Sequence, residues 1–144
     1  MIKINEDDRQ TLIIHRGDAP VGDINKIAFK YPIYNYSTEE VEYYEFKPTD
    51  EITLNVFEKK GYTHYEVLTK SWKLSDLGYV INTTTPELYL TATDTMVFPL
   101  ENKKQTYYYE IILNNETTII GANEEGTNKL IVYPSRKKKV GGSL

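Results

Sequence analysis

Apolar and polar residues alternate in short runs along most of the chain, which is the period-two pattern of β-strands. In residues 51–58 the two faces read Ile52, Leu54, Val56 and Glu58 against Thr53, Asn55 and Phe57. Similar runs, bounded by Gly, Pro, Asn and Asp, predict strands over 11–15, 26–36, 41–46, 51–61, 62–72, 87–91, 105–115, 117–122 and 129–134.

Local signals between these runs predict turns and short helical segments. Pro32 lacks a backbone donor, so the segment 26–36 is either an edge strand or is broken there. Thr91, with Asp94 three residues later, predicts the start of a short helix through a capping box. A second helical turn is expected at 75–77, and the "NNE" sequence at 114–116 predicts a hairpin.

Together these elements predict an all-β protein. We expect an immunoglobulin-like antiparallel β-sandwich of about eight short strands with one or two helical turns. A closed barrel is the alternative. The domain should span residues 1–134, and residues 135–144 should form a basic, flexible C-terminal tail.

Composition narrows the function classes. The chain has 144 residues and no Cys, so disulfides and thiolate metal sites are excluded. Its net charge of −4 argues against nucleic acid as a partner. The N-terminus has no apolar signal region and no run is long enough for a membrane helix, so we expect synthesis in a cytoplasm and no membrane partner.

The sequence offers little chemistry for catalysis. His15 and His64 are isolated, with no second histidine at the short spacing that a metal site needs. Glycine-rich nucleotide loops are absent, and no Ser stands in a pattern typical of a catalytic triad. We therefore expect a protein that is not an enzyme and needs no cofactor.

Tyrosine is the most conspicuous residue, with 13 copies. Tyr side chains fill β-cores, contribute large contact areas at protein interfaces, and stack on sugar rings, and all three roles stay open here. In residues 107–109, Tyr107 and Tyr109 share one face and Tyr108 lies on the other. The candidate protein or glycan contacts are Tyr34, Tyr36, Tyr43, Tyr62 and Tyr65.

The tripeptide Arg16-Gly17-Asp18 matches the motif that animal cell-adhesion receptors bind. It lies between two predicted strands with few residues to spare, whereas an adhesion motif requires the tip of a long loop. We interpret it as a strand-end turn. Gly17 permits the bend, Asp18 can accept an Asx-type hydrogen bond, and Arg16 remains available for a carboxylate.

Several short motifs resemble a family of small β-sandwich virion proteins from tailed phages and prophages of Gram-positive bacteria. They are similar to the N-terminal domain of phage baseplate upper proteins. The matching residues are Arg16, Gly17 and Asp18; Leu90, Thr91, Asp94 and Thr95; and Tyr107, Tyr109 and Ile111.

The resemblance implies a structural component of a virion, made in a bacterial host cytoplasm, that docks on other virion proteins and on copies of itself. The tail tip or baseplate is the expected position, with capsid decoration (a head accessory or head fibre) as the alternative. A carbohydrate-binding module that contacts a host-surface glycan is the alternative from another class.

The tail carries four consecutive cations, Arg136, Lys137, Lys138 and Lys139, in a chain that is acidic overall. Such a segment cannot pack into its own core because the charges would lose hydration without partners. We expect it to lie on an acidic surface of a neighbouring subunit and to support assembly.

Overall fold

A computed structural model describes residues 11–120 and 128–134. These residues fold into an all-β structure, as the alternation predicts. Its strands are β1 (Leu12–His15), β2 (Lys26–Ala28), β3 (Pro32–Asn35), β4 (Glu40–Tyr43), β5 (Glu51–Lys60), β6 (Thr63–Lys73), β7 (Glu87–Tyr89), β8 (Gln105–Leu113), β9 (Thr117–Ile120) and β10 (Lys129–Tyr133). A 3-10 turn covers Leu74–Leu77, and a one-turn helix, α1, covers Ala92–Thr95.

A six-stranded main sheet has the order β1-β10-β8-β5-β6, with β9 also paired to β8. β9 and β10 share one edge of β8, because Thr117 lies opposite Leu113 and Val132 lies opposite Gln105. The β8–β9 turn contains Asn114 and Asn115 with φ of 52° and 58°, so the predicted hairpin is confirmed. Asn tolerates this left-handed conformation better than most residues.

One strand pair departs from the predicted antiparallel arrangement. β1 runs parallel to β10, with Leu12 opposite Leu130 and Ile14 opposite Val132. Residue alternation determines which face of a strand is buried but not the direction of its neighbour, so the sequence pattern could not reveal a parallel pair.

The ends of the main sheet give the domain two recognisable poles. β8 begins at Gln105, opposite Val132 of β10, and ends at Leu113, opposite Ile52 of β5. We call the end where β5 begins the Asp50 end, and the end where β10 finishes the Pro134 end. The nine residues of β8 span about 26 Å between them at about 3.3 Å per residue.

The core lies on one face of the main sheet. Inward residues of its strands include Ile14, Leu54, Val56, Tyr109 and Ile111, each at most 1% exposed. The small β2–β7 sheet, α1 and the connecting loops cover this face with Ile27, Phe29, Phe46, Leu74, Leu88, Leu90 and Phe98. The covering layer is therefore made of short pieces, and the immunoglobulin-like arrangement of strands stays a prediction.

Two local predictions can be compared directly. The segment 26–36 is broken at Pro32, because β2 pairs with β7 whereas β3 pairs with β4 in a separate two-stranded sheet. This division contributes to the ten strands found in the described residues, where about eight were predicted. The capping box is confirmed: the Thr91 hydroxyl accepts from the Asp94 N–H, and the Asp94 carboxylate accepts from the Thr91 N–H.

Candidate docking surface

The β3–β4 hairpin stands apart from the main sheet. Its turn, residues 36–39, is closed by Asn35, whose side-chain oxygen accepts hydrogen bonds from the Ser37 and Thr38 N–H groups at 2.9 and 3.2 Å. Glu39 takes a left-handed conformation with φ of 58°. Among the residues that the structure describes, no third strand pairs with either edge of this hairpin.

The two faces of the hairpin differ in chemistry. Tyr34 lies opposite Val41, and Pro32 lies opposite Tyr43, so one face is aromatic and apolar. The other face places Asn35 opposite Glu40 and Ile33 opposite Glu42 and therefore carries two carboxylates. Asn35 donates to both carboxylate oxygens of Glu42 at 3.1 Å.

The aromatic face is open to solvent. Tyr36 is 85% exposed, Tyr34 46% and Tyr43 47%. The Tyr34 and Tyr36 rings meet edge to face with centroids 4.7 Å apart. The Lys30 ammonium lies 4.9 Å from the centre of the Tyr43 ring, so a cation already occupies one tyrosine face.

A buried polar cluster connects the root of the hairpin to the main sheet. The Tyr44 hydroxyl donates to Asp50 Oδ2 at 2.8 Å, and the Lys47 N–H donates to the same oxygen at 2.9 Å. The side-chain amide of Asn114, at the end of β8, donates to Asp50 Oδ1 at 2.9 Å. Asp50 is only 5% exposed, so these contacts determine where the hairpin leaves the domain.

The same cluster shifts two pKa values. Burial acts to raise the pKa of Asp50, but hydrogen bonds from Asn114, the Lys47 N–H and Tyr44 outweigh it, so the pKa lies below 3.8. Burial, followed by the hydrogen bond to Asp50 and its charge, raises the pKa of Tyr44 to about 12. The pair is therefore a neutral phenol donating to an ionised carboxylate at neutral pH.

The five predicted contact tyrosines do not form one surface. Tyr34, Tyr36 and Tyr43 share the β3–β4 hairpin, which is rooted at the Asp50 end. Tyr62 is fully exposed next to Gly61 in the β5–β6 turn, and Tyr65 follows on β6 with the Lys60 ammonium 5.7 Å from its ring centre. That turn lies toward the Pro134 end, since Phe57 already lies opposite Tyr108 of β8.

The Arg16-Gly17-Asp18 segment is a turn directly after β1. Gly17 has φ of 78°, and the Asp18 N–H donates to the His15 carbonyl at 3.3 Å. Asp18 is 6% exposed, so its carboxylate is not presented to a receptor in this conformation. Arg16, which was expected to be available for a carboxylate, donates its guanidinium hydrogen bonds to the carbonyls of Phe98 at 2.7 Å and Met96 at 3.5 Å.

These contacts explain the turn's position. The Gly17 N–H donates to the Thr95 hydroxyl at 2.7 Å, and Arg16 binds carbonyls that follow α1. Both partners lie about 80 residues away along the chain, which is why local sequence signals did not reveal them. The tripeptide thus joins β1 to the end of α1 and to the segment that follows it.

Other candidate chemistry is sparse in residues 11–120 and 128–134. His64 stacks on Phe57, and His15 stacks on Tyr133. No group of three His, Asp or Glu in this part of the chain could hold a metal ion. An open surface pocket of about 300 Å³ lies between Leu77, Gly78, Tyr79, Glu87 and Tyr89. Its carboxylate, Glu87, is 3.5 Å from the Lys26 ammonium.

Sequence reasoning missed several exposed apolar residues and the Asp50 cluster. Val80 and Ile81, in the loop before β7, are 84% and 74% exposed, and Met96 and Leu100 are also exposed. The only sequence signal at Asp50 was the turn-forming "KPTD" at 47–50, which does not indicate a contact with Asn114. Residues 1–10 of the predicted domain and the cations Arg136 to Lys139 lie outside the described residues.

No helix in the described part of the chain is long and apolar enough to cross a membrane. Comparison of the chain with protein-family models, curated proteins and solved structures finds no match.

Proposed function

We propose that this protein is a non-enzymatic structural component of a phage or phage-tail-like particle that docks on other virion proteins. The observation that carries a docking role is the β3–β4 hairpin, whose aromatic face is exposed and makes no sheet with the rest of the described chain. The motifs around Arg16, Thr91 and Tyr107 support the virion setting through their resemblance to phage proteins.

Exposed tyrosines suit a docking surface for a physical reason. Each ring buries a large area with only two side-chain torsions to fix, so contact is gained at little cost in conformational entropy. The hydrogen bonds of Asp50 fix the root of the hairpin before binding, which further reduces the ordering cost. We place the docking site at the tail tip or baseplate.

Localisation on particles tests this proposal. Particles from the source strain are purified on a density gradient and labelled with antibody against the chain, and the label is located by electron microscopy. Label at the tail tip supports the proposal, and label on the head would instead indicate capsid decoration. A chain absent from particles whose other structural proteins are detected by mass spectrometry would contradict the virion role.

Variants then test the surface. The double variant Tyr34→Ser with Tyr36→Ser should reduce incorporation of the chain into particles, because it removes two exposed rings from the aromatic side of the hairpin. Tyr62→Ser with Tyr65→Ser removes two exposed rings at the other pole and is the matched control. Equal incorporation of both variants and the wild type would exclude the hairpin as the docking surface.

Carbohydrate binding is the second candidate, favoured by the exposed Tyr34–Tyr36 pair. A sugar could stack on the ring of Tyr34 or on that of Tyr36, because aromatic rings present apolar surface to the C–H groups of a sugar. The two ring planes are inclined by 77°, so they do not form one flat platform. Binding to a glycan array by the isolated protein, lost in Tyr36→Ala, would favour this candidate.

A further inference from the structure

The β3–β4 hairpin and residues 136–139 are complementary in charge, and the root of the hairpin and Pro134 lie at opposite poles of the domain. Glu39, Glu40 and Glu42 are exposed on the hairpin, whose root is at the Asp50 end. Residues 136–139 supply four cations and follow Pro134 at the other end. We propose that residues 136–139 of one copy add as a third strand to the β3–β4 hairpin of a second copy, joining copies head to tail.

The geometry of an extended segment matches the two faces of the hairpin. In an extended strand successive side chains alternate between faces, so two cations would point to each side. One pair would meet the tyrosine faces and the other would meet Glu40 and Glu42. Lys30 over Tyr43 shows that a ring of this face accepts a cation. The hairpin edges, which pair with no other strand of the described residues, supply backbone donors and acceptors.

Distance favours a contact between copies, because the root of the hairpin and Pro134 lie at opposite poles of the domain. Lys139 is five residues beyond Pro134, so full extension carries it at most about 18 Å. The root of the hairpin lies at the Asp50 end, and β8 alone spans about 26 Å between the two poles. A contact between opposite poles of two copies is heterologous and produces a closed ring or an open filament.

This inference deepens the proposed function and rests on its view of the hairpin as a docking surface. It is tested on the purified full chain, without particles, so the two proposals can fail separately. Sedimentation velocity should show concentration-dependent association in 50 mM salt that is reversed in 500 mM salt, because ionic contacts are screened. A wild-type chain that stays monomeric at every concentration in low salt would overturn the inference.

Two charge variants locate the contact. Replacing Glu39, Glu40 and Glu42 by Gln, or Arg136 to Lys139 by Gln, should each weaken association by at least about tenfold, given several ion pairs of modest strength. The matched controls are E66Q/E101Q/E116Q and K47Q/K73Q/K103Q/K104Q, which remove the same charges from other exposed positions. Association that falls equally in variants and controls would indicate a general charge effect and would contradict the assigned contact.

A second pair of variants tests strand addition itself. Lys138→Pro and Lys138→Gln each remove one charge, but only Pro also removes a backbone donor. We expect Lys138→Pro to weaken association several-fold more than Lys138→Gln. Equal effects would mean that the tail binds through charge alone and would refute the third strand.

Charge reversal establishes the head-to-tail order. Changing the three glutamates to Lys should abolish association, and changing the four tail cations to Glu in the same chain should restore it. When the tail-neutralised chain is mixed with the hairpin-neutralised chain, association should stop at a dimer. Each copy then has only one intact binding surface, either the hairpin or the tail. Continued growth beyond the dimer would contradict this order.

Discussion

The carboxylate of Asp50 should contribute measurably to stability because it accepts three hydrogen bonds in a nearly buried position. Asp50→Asn preserves shape but turns one oxygen into an NH₂ donor. If that group faces Asn114, two donors oppose each other. Asn114 cannot rotate to relieve this conflict, because its oxygen accepts from the Glu51 N–H at 2.8 Å. The opposite orientation faces the Lys47 N–H, another donor.

Either orientation loses one charge-assisted hydrogen bond and leaves a buried donor without a partner. We expect Asp50→Asn to lower the free energy of unfolding by about 2–3 kcal/mol at pH 7. This is a large share of the roughly 5–15 kcal/mol typical of a domain. Asp76→Asn, at an exposed position in the adjoining 3-10 turn, is the control and should stay within about 0.5 kcal/mol.

Urea unfolding followed by the fluorescence of Trp72, the single tryptophan, measures the difference. Trp72 is buried and its indole N–H donates to the Tyr89 carbonyl, so it reports the contact between β6 and β7. The pKa of Asp50 is lowered in the folded state, so its stabilising contribution is present above the unfolded pKa of about 3.9. That contribution is lost as the pH falls through the folded pKa.

The gap between wild type and Asp50→Asn should therefore be full at pH 7 and shrink below about pH 4. A difference under about 0.5 kcal/mol at pH 7 would refute the role given to these hydrogen bonds. A gap that is the same at pH 7 and pH 3 would refute the assignment of an ionised carboxylate.

Three further predictions concern other parts of the chain. The pKa of Tyr44 is raised to about 12, so its contribution to stability is present below about pH 10 and is lost as the pH rises toward 12. Absorbance at 295 nm should show a late-titrating tyrosine that is absent in Tyr44→Phe. Thr91→Ala should lower the free energy of unfolding by about 1 kcal/mol through loss of the α1 cap, whereas Thr91→Ser should retain most of it in urea unfolding. Deleting residues 135–144 should leave the melting temperature nearly unchanged, since β10 ends at Tyr133, and a large drop in calorimetry would contradict the boundary.

Local rules predicted the elements that local interactions create. Thr91 and Asp94 are three residues apart and satisfy each other, so the capping box was recognisable from the sequence. Asn114 and Asn115 favour the left-handed turn of a hairpin. The alternation in 105–113 correctly placed Tyr107 and Tyr109 on one face, which the structure shows to be the buried one. Pro32 likewise marked a real interruption.

Interactions between distant residues were beyond those rules. Asp50 meets Asn114 from 64 residues away, and Arg16 meets Phe98 from 82 residues away, without any periodic signal that connects them. The tyrosine-rich sequences of β3 and β4 resemble those of core strands. Their tyrosines are nevertheless exposed, because no second layer among the described residues covers the aromatic face of the hairpin. Sequence alone could name these residues as candidates but could not separate them from core positions.

The parallel pairing of β1 with β10 has a mechanical consequence. The chain enters β1 at Leu12 and leaves β10 at Tyr133. Because the two strands run in the same direction, these two points are at opposite ends of the pair. A force that pulls the two ends of the domain apart therefore acts along the strands and in opposite directions. It loads all four register pairs together in shear, whereas a hairpin pulled at its open end would release its pairs one at a time. The pair acts as a clamp that resists tension, and its rupture would set the rate of forced unfolding.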